Sequence, residues 1–207
     1  MAWHDKYVVF DTETTGFGED ARIVEIALVE YAHGLTVPTG IFSSLVNPGE
    51  VDWSDPGVAK AMEINGLKPE WLVDAPSWGH ISYQVKEALR KNPVWVAHNL
   101  QFDERMIQQE FARDIHMADL LVVPRPEVRA CTLLCDFRIN PGKKSRKLIE
   151  VANRWKIDLK GGHRAVNDTM ACARIFQKMK VFLPETEEKF CNSQSEWSVK
   201  WKRITGY

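Results

Sequence analysis

The chain has 207 residues and a formal net charge of −1, from 27 Lys and Arg against 28 Asp and Glu. Its length suits one domain, and its apolar fraction of 44% is sufficient for a hydrophobic core, which excludes a disordered chain. A transmembrane helix needs about 18 consecutive apolar residues, and no apolar run in this sequence is longer than four residues.

Apolar patterns divide the chain into strands and helices. Strands are predicted at residues 6–11, 22–32, 40–46 and 93–97. Helices are predicted at residues 77–91, 100–113, from about 132, 145–155 and 164–182, and a loop with short helical turns at 55–74. Strands come first and then alternate with helices, which indicates an α/β fold with a mixed sheet whose first three strands form an antiparallel meander.

The four cysteines lie at positions 131, 135, 172 and 191 and include no CxxC pair. Structural zinc sites use closely spaced ligands, and small disulfide scaffolds are richer in cysteine, so free thiols are predicted. The first residues contain no apolar stretch of signal-peptide length. We therefore expect a cytoplasmic protein with no membrane partner.

The first strand leads into two carboxylates, Asp11 and Glu13, in the segment DTETTG. Because alternate residues of a strand share a face, both side chains would emerge together, at a sheet edge where α/β proteins tend to bind ligands. Like charges this close repel one another unless a cation or a proton lies between them. Taken alone, the pair also fits a solvated turn in which Asp11 accepts hydrogen bonds from turn amides.

A third carboxylate, Asp103, lies on the apolar stripe of the predicted helix 100–113, between Leu100 and Ile107. An Asp that faces the core is costly unless it is paired or coordinates a metal. The alternative is an ordinary first-turn Asp that the helix dipole favours.

A fourth carboxylate, Asp168, is the one charge on a stripe of helical spacing. The apolar members of this stripe are Ala165, Cys172, Ile175 and Met179. His163 precedes the helix and follows two glycines, so a tight loop could turn its ring towards the same place as Asp168. The alternative for His163 is a surface histidine.

Considered together, one strand edge and two helix N-terminal turns direct four carboxylates and an imidazole to a common place. Hard divalent ions such as Mg²⁺ or Mn²⁺ prefer oxygen ligands and would neutralise this charge. Two such ions about 3.5–4 Å apart support in-line displacement at phosphorus. The pattern therefore predicts two divalent metal ions and phosphoryl chemistry.

Residues 143–164 contain eight basic residues and two acidic ones, a local balance of +6 in a nearly neutral chain. Charge of this kind fits either a solvated face or a surface that contacts the phosphates of a nucleic acid. The composition of the stretch does not separate these two alternatives.

Three motifs occur in the order that a known enzyme family shows. They are VVFDTETTGF (8–17), HNLQFD (98–103) and HRAVNDT (163–169). With them the sequence resembles the DnaQ-like, DEDDh-type 3′–5′ exonucleases, which include the proofreading epsilon subunit of bacterial DNA polymerase III. Residues 131–155 also resemble the segment that these enzymes carry between their last two motifs.

The resemblance covers roughly residues 5–182 and implies an RNase H-like fold, a mixed central sheet flanked by helices. We therefore expect an exonuclease domain at residues 1–183. Residues 184–207 would be a C-terminal extension, whose polar sequence with isolated Trp197 and Trp201 fits either a docked segment or a flexible arm.

By the same resemblance, the metal ligands are Asp11, Glu13, Asp103 and Asp168, and His163 is the general base. Thr14 would meet the terminal 3′-hydroxyl through its backbone. The predicted substrate-binding residues are Thr12, Thr14, Gly16, Phe17, His98, Asn99 and Phe102. One departure is Asn65-Gly66, where many relatives have His-Gly, so the substrate contact attributed to that His is not carried over.

The sequence thus predicts an enzyme that uses two metal ions to remove nucleoside 5′-monophosphates from the 3′ end of single-stranded or frayed DNA. One alternative is an RNA 3′-end trimming exonuclease or an oligoribonuclease of the same superfamily. Another is a proofreading subunit whose main role is to dock on a polymerase. The protein partners that these hypotheses allow are a DNA polymerase and a second copy of the chain.

Overall fold

The computed structural model describes residues 6–32, 34–113, 124–159, 164–184 and 186–205 of the chain. Within these ranges one five-stranded sheet forms the centre of the molecule. Its strands are β1 (Lys6–Thr14), β2 (Ile23–Ala32), β3 (Gly40–Leu45), β4 (Val94–Ala97) and β5 (Val128–Cys131). Their spatial order is β3-β2-β1-β4-β5.

The sheet is mixed, as predicted. β1, β2 and β3 pair antiparallel, and β4 and β5 extend the sheet from β1 in parallel. β5 is missing from the prediction because it has four residues, of which Arg129 is exposed, and so short a strand shows little periodicity. β1 is longer than predicted, since its pairing with β2 continues to Thr14 with a register shift after Glu13.

Seven helices lie within the described ranges, with two short 3₁₀ turns at Pro69–Trp71 and Lys180–Phe182. They are α1 (Pro56–Asn65), α2 (Trp78–Lys91), α3 (Leu100–Arg113), α4 (Thr132–Ile139), α5 (Leu148–Arg154), α6 (Ala165–Met179) and α7 (Glu187–Thr205). α1 is a regular helix where the sequence pattern predicts a loop with short turns. Asp55 caps its start through the amides of Gly57 and Val58, at 2.8 and 3.0 Å, and Gly66 ends it at φ 65°.

Helices cover both faces of the sheet, and the alternation of β1 shows which residues face each layer. Tyr7 and Val9 pack with α4, α5, α6 and α7 on one face. Val8 and Phe10 pack with α2 and α3 on the other. The side chain of Asp11 therefore lies on the same face as Tyr7 and Val9, and the side chain of Thr12 lies on the same face as Val8 and Phe10.

The C-terminal helix α7 packs on the edge strand β5. Phe190 and Trp197 of α7 are buried in the core beneath the sheet. Gln194 closes the open edge of β5, because its Oε1 accepts a hydrogen bond from the Cys131 amide at 2.6 Å and its Nε2 donates to the Arg129 carbonyl. An uncovered edge strand invites pairing with another chain, so α7 protects this edge.

None of the described helices combines the length and apolar character that a membrane span requires.

Candidate active site

Three carboxylates converge where β1 meets the start of α6. Asp11 and Glu13 lie two residues apart on β1 and therefore share the face on which α6 packs. Asp168 belongs to the first turn of α6. One carboxylate oxygen from each of the three residues lies within 4.8 Å of the others. Since β1 is paired with β2 through this region, Asp11 and Glu13 lie on a strand and not in a solvated turn.

The electrostatics of the cluster favour a positive partner. Burial, and next the charges of Asp168, Glu25 and Asp103, raises the pKa of Glu13 to about 8. Burial is also the largest reason why the pKa of Asp11 lies well above its usual value, followed by the charges of Asp103, Glu13 and Asp168. Without a cation, these carboxyl groups retain protons at pH values where an exposed acid would be ionised.

Asp103 reaches the same edge from the opposite face of the sheet. Asp103 lies in the first turn of α3 and is only 2% exposed. Its Oδ1 accepts two hydrogen bonds from Thr12, one from the amide at 3.0 Å and one from Oγ1 at 2.8 Å. Burial raises the pKa of Asp103 to about 7, although the bonds from Thr12 oppose this shift.

The donor set suits a hard divalent cation. It consists of carboxylate oxygens, which Mg²⁺ and Mn²⁺ prefer, and their close approach leaves a repulsion that a cation would remove. Among the described residues, Asp11, Glu13 and Asp168 form a group of ligand atoms close enough to share one ion. Asp103 is their neighbour, and its charge raises the pKa of both Asp11 and Glu13.

Two charged residues that the sequence analysis missed fix the start of α6. Glu25 of β2 lies opposite Glu13 in the sheet register and is 1% exposed. Its Oε1 accepts from Nε and Nη2 of Arg164 at 3.0 and 2.8 Å, and its Oε2 accepts from the Ala165 amide at 3.0 Å. Glu25 therefore anchors the residues from which the helix carrying Asp168 begins. The sequence does contain a signal for the role of Glu25: this charged residue interrupts the apolar strand β2, just as Asp103 interrupts the apolar stripe of α3.

The predicted general base, His163, lies outside the described residues and directly precedes Arg164 in the sequence. Its assignment therefore stays a prediction.

The aromatic residues predicted to bind substrate lie together. The Phe17 residue is 73% exposed, and its ring centroid is 5.6 Å from that of the half-buried Phe102. Gly16 directly precedes Phe17 in the turn after β1. Asn99 is exposed just before α3 and has φ 71°. Phe102 thus directly precedes Asp103, and Phe17 lies three residues after the end of β1.

Thr12 and Thr14 use their side chains within the protein. Thr12 holds Asp103, and Thr14 Oγ1 donates to the Gly16 carbonyl at 2.7 Å. The Thr14 carbonyl accepts from Nδ2 of Asn65 at 2.8 Å. Asn65 thereby supports the turn that carries Phe17.

His98 is fixed between β4 and the segment that precedes α5. Its Nε2 lies 2.7 Å from the Arg146 carbonyl, which can only accept, so this nitrogen carries the proton. Its Nδ1 then accepts from Thr132 Oγ1 at 2.9 Å. Burial lowers the pKa of His98 to about 4, so the ring is neutral at physiological pH. Both ring nitrogens of His98 are therefore engaged within the protein.

The raised pKa of Glu13 predicts how the stability of the metal-free protein depends on pH. The carboxyl titrates near 4.5 when unperturbed and at about 8 in the fold, so between these values the folded state binds more protons than the unfolded state. The unfolding free energy should therefore fall as pH rises through this interval. Thermal unfolding in chelator between about pH 5 and pH 8 measures this. Glu13→Gln should reduce the fall, and Mn²⁺ should stabilise the wild type more at the higher pH; identical curves for wild type and variant would contradict the assignment.

The mixed sheet, with carboxylates from β1, α3 and α6 at one edge, defines an RNase H-like nuclease fold. Residues 8–176 match the family described as Exonuclease (RNase_T). The chain belongs to this exonuclease family, whose DnaQ-like members use divalent metals. The predicted family, fold class and nuclease activity are thereby confirmed.

Two relatives illustrate the range of the family. The chain is 32% identical over 171 residues to the uncharacterized exonuclease CP81 of Escherichia phage 186, covering 79% of this chain and 82% of that protein. It is 29% identical over 209 residues to the PolC-type DNA polymerase III of Clostridium perfringens, covering 98% of this chain and 13% of the polymerase. The chain thus corresponds to a small part of the polymerase.

Solved structures share the fold at low sequence identity. Exonuclease X in complex with 5′ overhanging duplex DNA has a TM-score of 0.66 and 22% identity, covering 91% of this chain and 99% of that one. The E. coli ExoI–ssDNA complex has a TM-score of 0.71 and 16% identity, covering 87% of this chain and 41% of that one.

Proposed function

We propose that the chain is a 3′–5′ exonuclease that uses two divalent metal ions, Mg²⁺ or Mn²⁺, to remove nucleoside 5′-monophosphates from single-stranded or frayed DNA. The convergence of Asp11, Glu13 and Asp168 within 4.8 Å, beside buried Asp103, carries this proposal. Asp11, Glu13 and Asp168 would hold one ion, and Asp11 with Asp103 the other. Such ions lower the pKa of water and stabilise a leaving oxygen when they are bound.

His163 is proposed as the general base that takes the proton of the attacking water. An imidazole titrates near neutral pH and suits this role. The chain position supports the assignment, because His163 is followed by Arg164, which Glu25 anchors beside Glu13. Glu25 and Arg164 are thus proposed to position the start of α6 for catalysis.

DNA is proposed as the substrate because the PolC-type relatives and the two solved DNA complexes named above support it. PolC-type relatives are DNA polymerases, and the structural neighbours named above are complexes with single-stranded DNA and with overhanging duplex DNA. The match to a segment of PolC also supports a polymerase as a protein partner. RNA trimming is the outcome that would replace the DNA assignment.

The test uses purified protein with single strands of DNA and RNA of matched sequence, in Mg²⁺, in Mn²⁺ and in chelator. Strands labelled at the 5′ end should become shorter one nucleotide at a time. Strands labelled at the 3′ end should release the label first, as a mononucleotide 5′-phosphate. Faster degradation of RNA than of DNA would replace the DNA assignment. Hydrolysis that persists in chelator would overturn the metal-dependent mechanism.

Phe17 is proposed to stack on the terminal base and hold a frayed 3′ end near the carboxylates. An aromatic residue that is 73% exposed offers a free ring face, and base stacking on such a ring contributes about 1–3 kcal/mol. Phe17→Ala should therefore weaken binding of single-stranded DNA by about that free energy, without changing metal binding. Fluorescence anisotropy measures the affinity, with Trp71→Ala, another exposed aromatic, as the control. Equal affinities of variant and wild type would show that Phe17 only packs on Phe102.

The basic stretch 143–164 divides into buried and exposed members. Arg146 is 5% exposed, and its guanidinium binds the carboxylate of Asp136, which is 0% exposed. Arg154 pairs with the same carboxylate at 2.7 Å. These two arginines hold the segment in place, whereas Lys143, Lys144 and Lys147 are exposed.

The exposed lysines are proposed to contact the phosphates of the substrate. Replacing Lys143, Lys144 and Lys147 by Glu should raise KM more than it lowers kcat. It should also reduce the salt dependence of binding, since each lost phosphate contact removes ~0.7 from the slope for a single strand. Lys91→Glu, at an exposed position at the end of α2, is a control for charge reversal on another surface. An unchanged slope in the triple variant would assign these lysines to solubility or to partner docking.

A further inference from the structure

The segment that joins β1 to β2 is tied to α3 by three charged side chains. Arg105 Nη2 donates to the Phe17 carbonyl at 3.0 Å. Arg113 Nη1 donates to the Ala21 carbonyl at 3.0 Å, and its Nη2 donates to the Glu19 carbonyl. Glu110 accepts from Arg22 Nε and Nη2 at 2.8 and 3.0 Å and from the Ile23 amide at 3.0 Å.

These contacts give the segment more support than surface loops usually have. Glu110 is 1% exposed, and hydrogen bonds from guanidinium groups are stronger than those between neutral partners. Arg105 makes two contacts, because its guanidinium also lies 5.6 Å from the centroid of the Phe102 ring. Phe17 therefore has an exposed ring on an anchored backbone.

One helix thus connects the aromatic pair to the catalytic edge. Asp103 and Phe102 both belong to α3. Arg105 of the same helix donates a hydrogen bond to the Phe17 carbonyl, and the Phe17 ring packs near that of Phe102. The Phe17 backbone is therefore bonded to the helix that carries Asp103, so the Arg105 contact helps to fix the spacing between the Phe17 ring and that carboxylate.

We propose that Arg105 is a positioning residue that fixes Phe17 as a wedge and thereby sets the preference of the enzyme for unpaired 3′ ends. The inference rests on the proposed exonuclease function. A wedge that cannot move admits a terminal nucleotide only after its base pair has melted, which costs a few kcal/mol in a duplex and nothing in a single strand. A wedge that can move accommodates a paired end, so the preference for single strands decreases.

Arg105→Met tests this proposal, since methionine removes the guanidinium but keeps an unbranched side chain at an exposed position. The measured quantity is kcat/KM on a single strand divided by kcat/KM on a blunt duplex of the same sequence. We expect this ratio to fall about fivefold or more, the equivalent of the lower end of base-stacking energies. Arg105→Lys, which keeps a charged donor, should restore part of the ratio.

A double mutant separates positioning from direct substrate contact. If Arg105 acts through Phe17, Arg105→Met should have little further effect on the ratio in the Phe17→Ala background, because effects of residues acting as a unit are not additive. The same loss in both backgrounds, or an unchanged ratio in Arg105→Met, would overturn the proposal. Arg90→Met is the matched control, because Arg90 is an exposed arginine that pairs with Glu87 within α2.

The outcomes also separate this inference from the proposed function. Wild-type protein that degrades no DNA would overturn both. Wild-type protein that degrades single-stranded DNA, with an Arg105→Met variant of equal ratio, would overturn only the positioning role. Thermal unfolding of each variant, with and without Mn²⁺, shows that the fold and metal binding are intact when the ratio is compared.

Discussion

Asp11→Asn and Asp168→Asn should each reduce metal-dependent hydrolysis by at least about 10³-fold while the chain keeps its fold. Losses of this size are typical when one member of a catalytic unit is removed. Asp11 and Asp168 belong to one group of ligand atoms within 4.8 Å, so each substitution removes a ligand from the same proposed ion. An amide oxygen is a weaker ligand than a carboxylate for a hard cation.

The same substitutions should leave the metal-free protein as stable as the wild type or more stable. Burial, followed by repulsion within the cluster, raises the pKa values of Asp11 and Glu13. Asp168→Asn removes a charge that contributes to both shifts, and Asp11→Asn removes a buried carboxyl whose ionised form is unfavourable. Thermal unfolding in chelator measures this, and calorimetric titration with Mn²⁺ measures the lost affinity. Asp20→Asn, which changes an exposed carboxylate, is the control. Near-normal turnover in either site variant at saturating metal would rule out the two-metal assignment.

His163→Ala should lower turnover by roughly 10²–10⁴-fold, the usual contribution of a positioned general base. Metal affinity should change little, because the proposed ligands are carboxylates. The wild-type rate should rise with pH as an imidazole loses its proton, and the variant should lack this limb. His80→Ala changes an exposed histidine that bonds Ser77 and serves as the control. A variant with the wild-type rate and pH profile would reduce His163 to a surface residue.

The position of each proposed metal ligand follows from strand and helix periodicity. A period of two places Asp11 and Glu13 on one face of β1, and helical spacing places Asp103 and Asp168 on inward stripes of α3 and α6. Local geometry is sufficient here because each statement concerns residues on a single element. That these three elements meet at one edge is a property of the whole fold; the sequence indicated it only through the combined pattern of carboxylates and the order of the motifs.

Charge along the sequence was a poorer guide, as Arg146 and Lys143 show. Both count equally in the basic stretch, yet Arg146 is buried against Asp136 and Lys143 is exposed. Amino-acid composition gives the sign of the charge on a side chain but does not show which residue that side chain pairs with. The partner of Arg146 lies ten residues earlier, on α4, so the sequence pattern could not distinguish the two roles.

Periodicity and motif order in the sequence therefore determined the fold class, the family and the candidate ligands, because these depend on local spacing and on residue type. The tertiary structure alone decided which charges are paired. Glu25 and Arg164 are 139 residues apart, and Arg105 and Phe17 are 88 apart. Contacts at such separations depend on how strands and helices pack. At buried Glu25 an unpaired carboxylate would be costly, because water is excluded as a competing partner, and the packing of α6 supplies Arg164 to satisfy it. Those long-range contacts hold α6 and the Phe17 turn where the proposed chemistry needs them.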